Sequence, residues 1–380
     1  MLHDAKFWGG KRVFLTGHTG FKGGWLALWL SHLGARICGY SLDPSSNPSF
    51  FDVARVGTKV DDIRGDIRDA AHLESSIKDF APEVVFHLAA QPLVRLSYVD
   101  PITTYETNVI GTARVLDTVR RTPSVRAVIS VTTDKCYENK EWVWGYRETD
   151  PLGGYDPYSS SKACAEIVSA AFRQSYFPVE KIGDHHVAIA TARAGNVIGG
   201  GDWSPDRLLP DLVRGFLAGK PVPIRRPHSI RPWQHVLEPL HGYLSLAEKL
   251  LSPDAAKYAT AYNFGPADDD ARPVNWIAER MTRTWGDGAS WYLDEDPGVH
   301  EAGYLKLDAS CARADLAWTP HLHLADALDW LVGWYKAHEA GGDMHSYTLD
   351  QISQYETLLR LDPRPSSYRL ESLSSSHPAV

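Results

Sequence analysis

The chain has 380 residues, more than one domain usually takes, so one large domain with an appended lobe, or two domains, is the expected layout. A formal charge of -8 argues against general nucleic-acid binding, which needs a basic face, so any anion must be bound locally. Cys38, Cys136, Cys164 and Cys311 are scattered without C-x-x-C spacing, no apolar run approaches a membrane span and the first residues lack a secretory signal; a cytoplasmic protein without disulfides, zinc cluster or membrane contact is expected.

Residues 11–16 form a short β-rich run, followed by the loop Gly17-His18-Thr19-Gly20-Phe21-Lys22-Gly23 and an apolar helical segment over 24–33. In a strand, glycine loop and helix of this kind, Gly17 permits the tight turn, Gly20 lets backbone approach a pyrophosphate, and Gly23 lets helix pack closely on strand. Lys22 is either a cation for phosphate or ribose or an ordinary solvated lysine. The second strand, 35–40, would end near an adenosine ribose, with Asp43 just beyond and no Arg directly after it, which favours NAD over NADP. A third strand leads into Gly65-Asp66-Ile67, where Asp66 could reach an adenine amine; Asp69 caps a helix carrying Leu73, Ile77 and Phe80.

A fourth strand at 82–87 runs into Leu88, Ala89, Ala90 and Gln91, small residues that let a cofactor pass close to backbone. Asp100 and Pro101 open a long helix through Val119, and a fifth strand over 125–132 delivers Thr133, Asp134 and Lys135 at its C-terminal end, where open α/β sheets hold ligands. Tyr158 and Lys162 are four apart and share a helix face; of all the tyrosines, only Tyr158 has Lys at the fourth position after it. A fixed cation beside a phenol favours the phenolate, which makes Tyr158 a base for a hydroxyl proton. The helix after it is apolar on more than one face, so it is either a core helix of its own domain or one whose second face packs on another subunit, the latter being the expectation; with a strand over 186–192 the N-terminal half reads as a doubly wound α/β sheet.

Beyond residue 195 the chain turns to Gly, Pro and Arg-rich loops, read as a substrate lobe. Arg193, Arg207, Arg214, Arg225, Arg226 and Arg231 concentrate guanidinium there, suited to a diphosphate, with Arg231 the first choice. Residues 261–266 read as a return strand, 276–285 and 326–335 as amphipathic helices. The expected division is a Rossmann-type cofactor domain over 1–195 with a return segment at about 236–265, a discontinuous α/β substrate lobe from 196–235 and 266–348, a helix at 349–361 and a mobile tail over 362–380. His185-His186 and His321-x-His323 lack partners at metal-ligand spacing, so no metal is expected.

Taken together, Thr16-Gly-x-x-Gly-Phe-x-Gly23, Asp66-Ile67, His87-Leu-Ala-Ala90, Asn108-Val-x-Gly-Thr112, Thr133 and Tyr158-x-x-x-Lys162 resemble the extended short-chain dehydrogenase/reductase family over about residues 9 to 355. Asp134 after Thr133 is similar to its nucleotide-sugar 4,6-dehydratase branch, although Lys135 stands where Glu is usual. Further stretches, Arg231-Pro-Trp-Gln-His-Val236 among them, look like one nucleotide-selective group of that branch, and cytidine is implied by that likeness alone. The resemblance implies a tightly bound NAD regenerated in each turnover, a homodimer or tetramer, and oxidation at sugar carbon 4, loss of water across carbons 5 and 6, and return of the hydride to carbon 6. Tyr158, Lys162 and Thr133 would act on the 4-hydroxyl, Asp134 would protonate the leaving 6-hydroxyl, and Lys135 would take the carbon 5 proton. In the alternative, Asp134 and Lys135 form an ion pair and water or another residue is the base. The cofactor set it implies is Gly17, His18, Gly20, Phe21, Lys22, Gly23, Asp43, Asp66, Ile67, Leu88, Ala89, Ala90, Thr107, Val131, Tyr158, Lys162 and Arg193. The substrate set is Gln91, Asn196, Gly201, Asp202, Arg207, Leu208, Val222, Ile224, Arg225, Arg231, Trp233, Glu301 and Tyr304. A nucleotide-sugar 4-epimerase, or a dehydratase acting on another nucleotide sugar, is the second reading within enzymes; a non-catalytic dinucleotide sensor would keep the glycine loop without needing Tyr158, Lys162 or Asp134.

Overall fold

The computed structural model describes residues 2–286, 288–295 and 302–361; Glu301 and the tail over 362–380 lie outside the described residues. The strands are β1 (Arg12–Thr16), β2 (Arg36–Ser41), β3 (Asp61–Arg64), β4 (Val84–His87), β5 (Ala127–Val131), β6 (Ala188–Ala194), β7 (Val197–Ile198), β8 (Val222–Ile224), β9 (Gln234–His235), β10 (Ala261–Phe264) and β11 (Trp291–Leu293). Seven of them form one sheet in the order β3-β2-β1-β4-β5-β6-β10, all parallel, so the winding reverses between β1 and β4. This is the expected doubly wound sheet, and its inner strands are apolar runs because helices cover both faces. Two parallel ribbons, β7 with β9 and β8 with β11, stand beyond the C-terminal ends of β6 and its neighbours.

One face of the sheet packs the aromatic-rich layer of Trp25, Trp29, Tyr243, Trp318 and Trp334; the other packs Phe14, Ile77, Val115 and Ile189. At the centre of the first layer lies a helix the sequence reading did not single out, Leu237–Leu250, buried along most of its length. Glu238 on it accepts the backbone N–H groups of His321 (2.9 Å) and Leu322 (2.6 Å) and the hydroxyl of Tyr355 (2.8 Å), tying three segments to one carboxyl.

The helix expected from Pro101 is interrupted. Its middle, Glu106–Ile110, is a π-helical turn between Pro101–Tyr105 and Gly111–Arg120. A Cβ at Gly111 would stand 2.5 Å from the Ile67 Cδ1, so the helix passes close against the Ile67 side chain. Asn108 in that turn hydrogen-bonds both ends of the Gln91 backbone and Ser161, fixing the helix to the cleft wall. A short helix, Val94–Val99, precedes it; at six residues and directly after Pro92 it left no periodic pattern to read.

Candidate active site

The C-terminal ends of the strands open on a single cleft of about 1350 Å³ that takes in the glycine loop, the end of β5 and the loops after β6 and β8. Gly17 leaves β1 at a φ of +83°, and a Cβ there would lie 2.8 Å from the Ala89 nitrogen. At Gly23 a Cβ would meet the Gly17 carbonyl oxygen at 2.1 Å, so helix and loop close on each other only without side chains. Gly20 caps the Phe21–His32 helix, and no side chain caps it, which leaves first-turn N–H groups for an anion. The Thr16 hydroxyl receives the N–H groups of Leu88 and Ala89, both at 3.1 Å, and holds the small Leu88-Ala89-Ala90 wall beside the loop. An uncapped helix start, a glycine turn and a smooth wall at the winding reversal fit a dinucleotide.

Around this floor the cleft is lined by Phe21, Lys22, Asp43, Asp66, Ile67, Thr107 and Val131, as expected. Asp66 is gripped by its neighbour Arg68 through Nε (2.9 Å) and Nη2 (2.7 Å), which holds its carboxyl below the usual range. Asp43 stands at the rim with its side chain 89% exposed, 3.6 Å from Arg64, a residue the sequence reading passed over because it ends a different strand. Burial, with Arg207 and Lys162 nearby, pushes the Lys22 ammonium down to about 7; its Nζ lies 3.5 Å from the Tyr243 hydroxyl, a second partner invisible in sequence.

Two members of the expected cofactor set do not line the cleft. The His18 ring turns inward under Gly39, with Nε2 at 2.8 Å from Asp62, because Gly39 has no Cβ to exclude it. Arg193 is buried in an ion pair with Glu166 (2.8 Å) and also donates to the Tyr137 hydroxyl (2.8 Å), so its guanidinium is spent inside the protein.

At the end of β5, Thr133, Asp134, Lys135, Tyr158 and Lys162 all face the cleft. Thr133 donates to Asp134 Oδ1 at 3.0 Å and is hydrogen-bonded to the Tyr158 hydroxyl. Asp134 is 1% exposed, its Oδ2 has no hydrogen-bond partner among the described residues, and burial outweighs Lys135, Thr133 and Arg231 to hold its carboxyl above the usual range. Burial disfavours the charged form of such a carboxyl, which suits it to hold a proton and give it up. Lys135 is half-buried rather than enclosed. Lys162 donates to the Val131 carbonyl at 3.2 Å, and burial pushes its ammonium down to about 8. The Tyr158 phenol, expected to be lowered by Lys162, is held up at about 12 by burial, and the opposing influences are Thr133 and Arg207.

On the far side, Asn196, Gly201, Asp202, Arg207, Leu208, Val222, Ile224, Arg225, Arg231 and Trp233 line the cleft, with the buried Trp233 Nε1 unpartnered. Asp202 is paired with Arg207 at 3.1 Å, and Arg231 is 8% exposed and close enough to act on Asp134. Gln91 also lines it, but its side-chain amide is committed to Leu93 and Thr104. Tyr304 does not: its hydroxyl is spent on the Val143 carbonyl at 3.0 Å. Arg95 and Asp206, paired at 3.1 Å across the mouth, were not anticipated, being far apart in sequence and unremarkable in type.

Residues 13–265 match the model of the NAD dependent epimerase/dehydratase family. A CDP-glucose 4,6-dehydratase of Salmonella typhimurium is 53% identical over 352 residues, covering 93% of this chain and 98% of the relative. Among solved structures, a dTDP-glucose 4,6-dehydratase double mutant from Streptomyces venezuelae with NAD bound is similar at a TM-score of 0.72 and 22% identity, covering 87% of this chain and 99% of that one. A UDP-glucose 4-epimerase from Thermotoga maritima with UDP-glucose is similar at a TM-score of 0.72 and 21% identity, covering 86% and 99%.

Proposed function

Since the chain belongs to the NAD dependent epimerase/dehydratase family, we propose that it converts CDP-glucose to the 4-keto-6-deoxy sugar nucleotide with loss of water. The observation that carries this reading is Asp134: a buried carboxyl, raised above the usual range by that burial and with one oxygen unpartnered among the described residues, at the end of β5 beside Thr133 and Tyr158. Expelling a hydroxide from carbon 6 needs an acid there; epimerisation at carbon 4 does not.

The glycine loop and the Leu88–Ala90 wall would hold NAD, with Asp66 and Ile67 toward its adenine end and Tyr158, Lys162 and Val131 toward its nicotinamide end. When bound, NAD supplies the hydride acceptor at carbon 4 and the hydride donor at carbon 6. Tyr158 takes the 4-hydroxyl proton while Thr133 hydrogen-bonds the same oxygen. The carbonyl formed acidifies the carbon 5 hydrogen, which Lys135 removes; Asp134 protonates the 6-hydroxyl, and water leaves as the carbon 5 to carbon 6 double bond forms. A proton returned to carbon 5 completes the product. Arg207, Arg225 and Arg231 are suited to the diphosphate. The β7–β9 and β8–β11 ribbons support the division into a cofactor domain and a substrate lobe.

Four unpaired cysteines suit a reducing cytoplasm. Among the described residues no helix is long and apolar enough to cross a membrane. A homodimer is supported by Val99, Ile102, Ile110 and Ile167, large apolar side chains left exposed along adjacent helices. Deoxysugar synthesis of the O-antigen type is the process such a product would feed. The test is to incubate the purified protein with CDP-, dTDP-, UDP- and GDP-glucose and record the keto sugar formed; an epimer, or no conversion of CDP-glucose, would overturn the proposal.

A further inference from the structure

Tyr158 and Lys162 belong to a longer series. The Pro157–Ser175 helix carries Glu166 one turn beyond Lys162, so Tyr158, Lys162 and Glu166 repeat at four-residue spacing on one face. Glu166 is 3% exposed, and its carboxylate is fully engaged: Oε1 accepts the hydroxyl of Thr132, and Oε2 accepts Thr191 Oγ1 at 2.7 Å and Arg193 Nη2 at 2.8 Å. Its partners come from the two adjacent central strands. Thr132 directly precedes Thr133, so the same carboxylate sets the end of β5 against the helix that bears Tyr158.

We propose that Glu166 is a positioning residue of the reaction: its carboxylate, fixed between β5 and β6, is the counter-charge that keeps Lys162 cationic beside Tyr158. The inference rests on the reading of Tyr158 and Lys162 as the proton-transfer pair. Lys162 is 7% exposed and among the described residues its ammonium has one hydrogen bond, to the Val131 carbonyl, so a cation there needs an anion within reach. The groups facing it are Tyr158 on its own helix, Cys136 from the Asp134–Cys136 turn, His87 at the end of β4 and Lys22 from the first turn of Phe21–His32. Burial keeps the Cys136 thiol and the His87 ring neutral, and Lys22 is a competing cation. Glu166 is therefore the influence that opposes burial most strongly at Lys162. Glu166 is faced in turn by Arg193, paired with it at 2.8 Å, and by Arg173 on its own helix.

The experiment is the pH dependence of kcat/KM for keto-sugar formation from CDP-glucose by the full chain with NAD, in the wild type, Glu166→Gln and Glu166→Asp. Removing the anion lowers the pH at which Lys162 loses its proton, so the alkaline limb of the Gln variant should move acidward by about one pH unit. The Asp variant keeps the charge and should hold that limb within about 0.3 unit even if its maximum falls. A Gln profile scaled down uniformly with its limbs unmoved would reduce Glu166 to a structural tie and overturn the inference alone. Should the Gln variant fail to fold, the Asp variant decides: a shift of about one unit with the charge intact overturns the proposal, and an unmoved limb supports it. A wild type that forms no keto sugar from any nucleotide-glucose overturns the reading of the site, and this inference with it.

Discussion

Three side chains at the end of β5 and one turn into the following helix divide the proton traffic, and each can be removed singly. Tyr158→Phe deletes an oxygen and little else of the cleft wall, so turnover should be lost while NAD titration gives a nearly unchanged Kd. Turnover within a few-fold of wild type would remove Tyr158 from the reaction. Asp134→Asn keeps shape and loses the proton, and the rate of keto-sugar formation should drop by about a hundred-fold or more. Lys135 is the more exacting case. It is half-buried where Lys22 and Lys162 are both driven down by burial, so it does not have the enclosure that the sequence reading required of a neutral base. Lys135→Met should nonetheless stop product formation and, in heavy water, stop deuterium entering carbon 5 of the sugar. Product at near wild-type rate in that variant would pass the carbon 5 proton to a water or to another side chain.

At the scale of elements, the surface of the Val94–Val99, Pro101–Tyr105 and Pro157–Ser175 helices carries Val99 at 81% exposure, Ile102 at 67% and Ile167 at 56%. Ile102→Glu combined with Ile167→Glu should turn a dimer into a monomer in sedimentation at micromolar protein; a wild type already monomeric would refute the interface. The strands and the glycine loop were legible because buried parallel strands are apolar runs and because Gly17 and Gly23 answer to contacts that admit no Cβ. Glu166 was not. A single carboxylate in a helix reads as a solvated residue, and only the arrival of Thr132, Thr191 and Arg193 from neighbouring strands makes it an interior one. Arg193 was misplaced for the same reason: a guanidinium among other guanidinium groups looks ligand-bound until its buried partner is seen. The π-helical turn at Glu106–Ile110 is tied through Asn108 to Gln91 and Ser161, tertiary contacts with no local signature.

For the whole molecule, the carboxyl that joins three segments also links stability to pH. Burial pushes Glu238 up to about 7 from an ordinary 4.5, so between those values the folded protein holds a proton that the unfolded chain has released. Its contribution to stability therefore falls as pH rises through that window. His32, raised by the Glu356 carboxylate beside it, acts with the same sign: its contribution is full below the ordinary 6.5 and lost as pH rises through the folded value. Burial holds the His87 and His235 rings down at about 3, so they act with the opposite sign below 6.5, and the Glu238 contribution is read by difference: between about pH 5 and about pH 7 the thermal midpoint of Glu238→Gln should gain on that of the wild type by the equivalent of a few kcal/mol. A difference between the two midpoints that stays constant over that range would remove Glu238 as the group responsible.

The same helix has a consequence in time. Leu237–Leu250 lies against β5 and β6, yet the Trp318 indole that donates to its Glu238 carbonyl and the Tyr355 hydroxyl that closes its carboxyl are encoded far downstream. At about 5–20 residues per second, a ribosome that has just made Leu250 needs roughly 5–20 seconds to deliver Tyr355. For that interval the nascent chain has six of the seven strands of its sheet and an apolar helix whose outer partners have not yet been made.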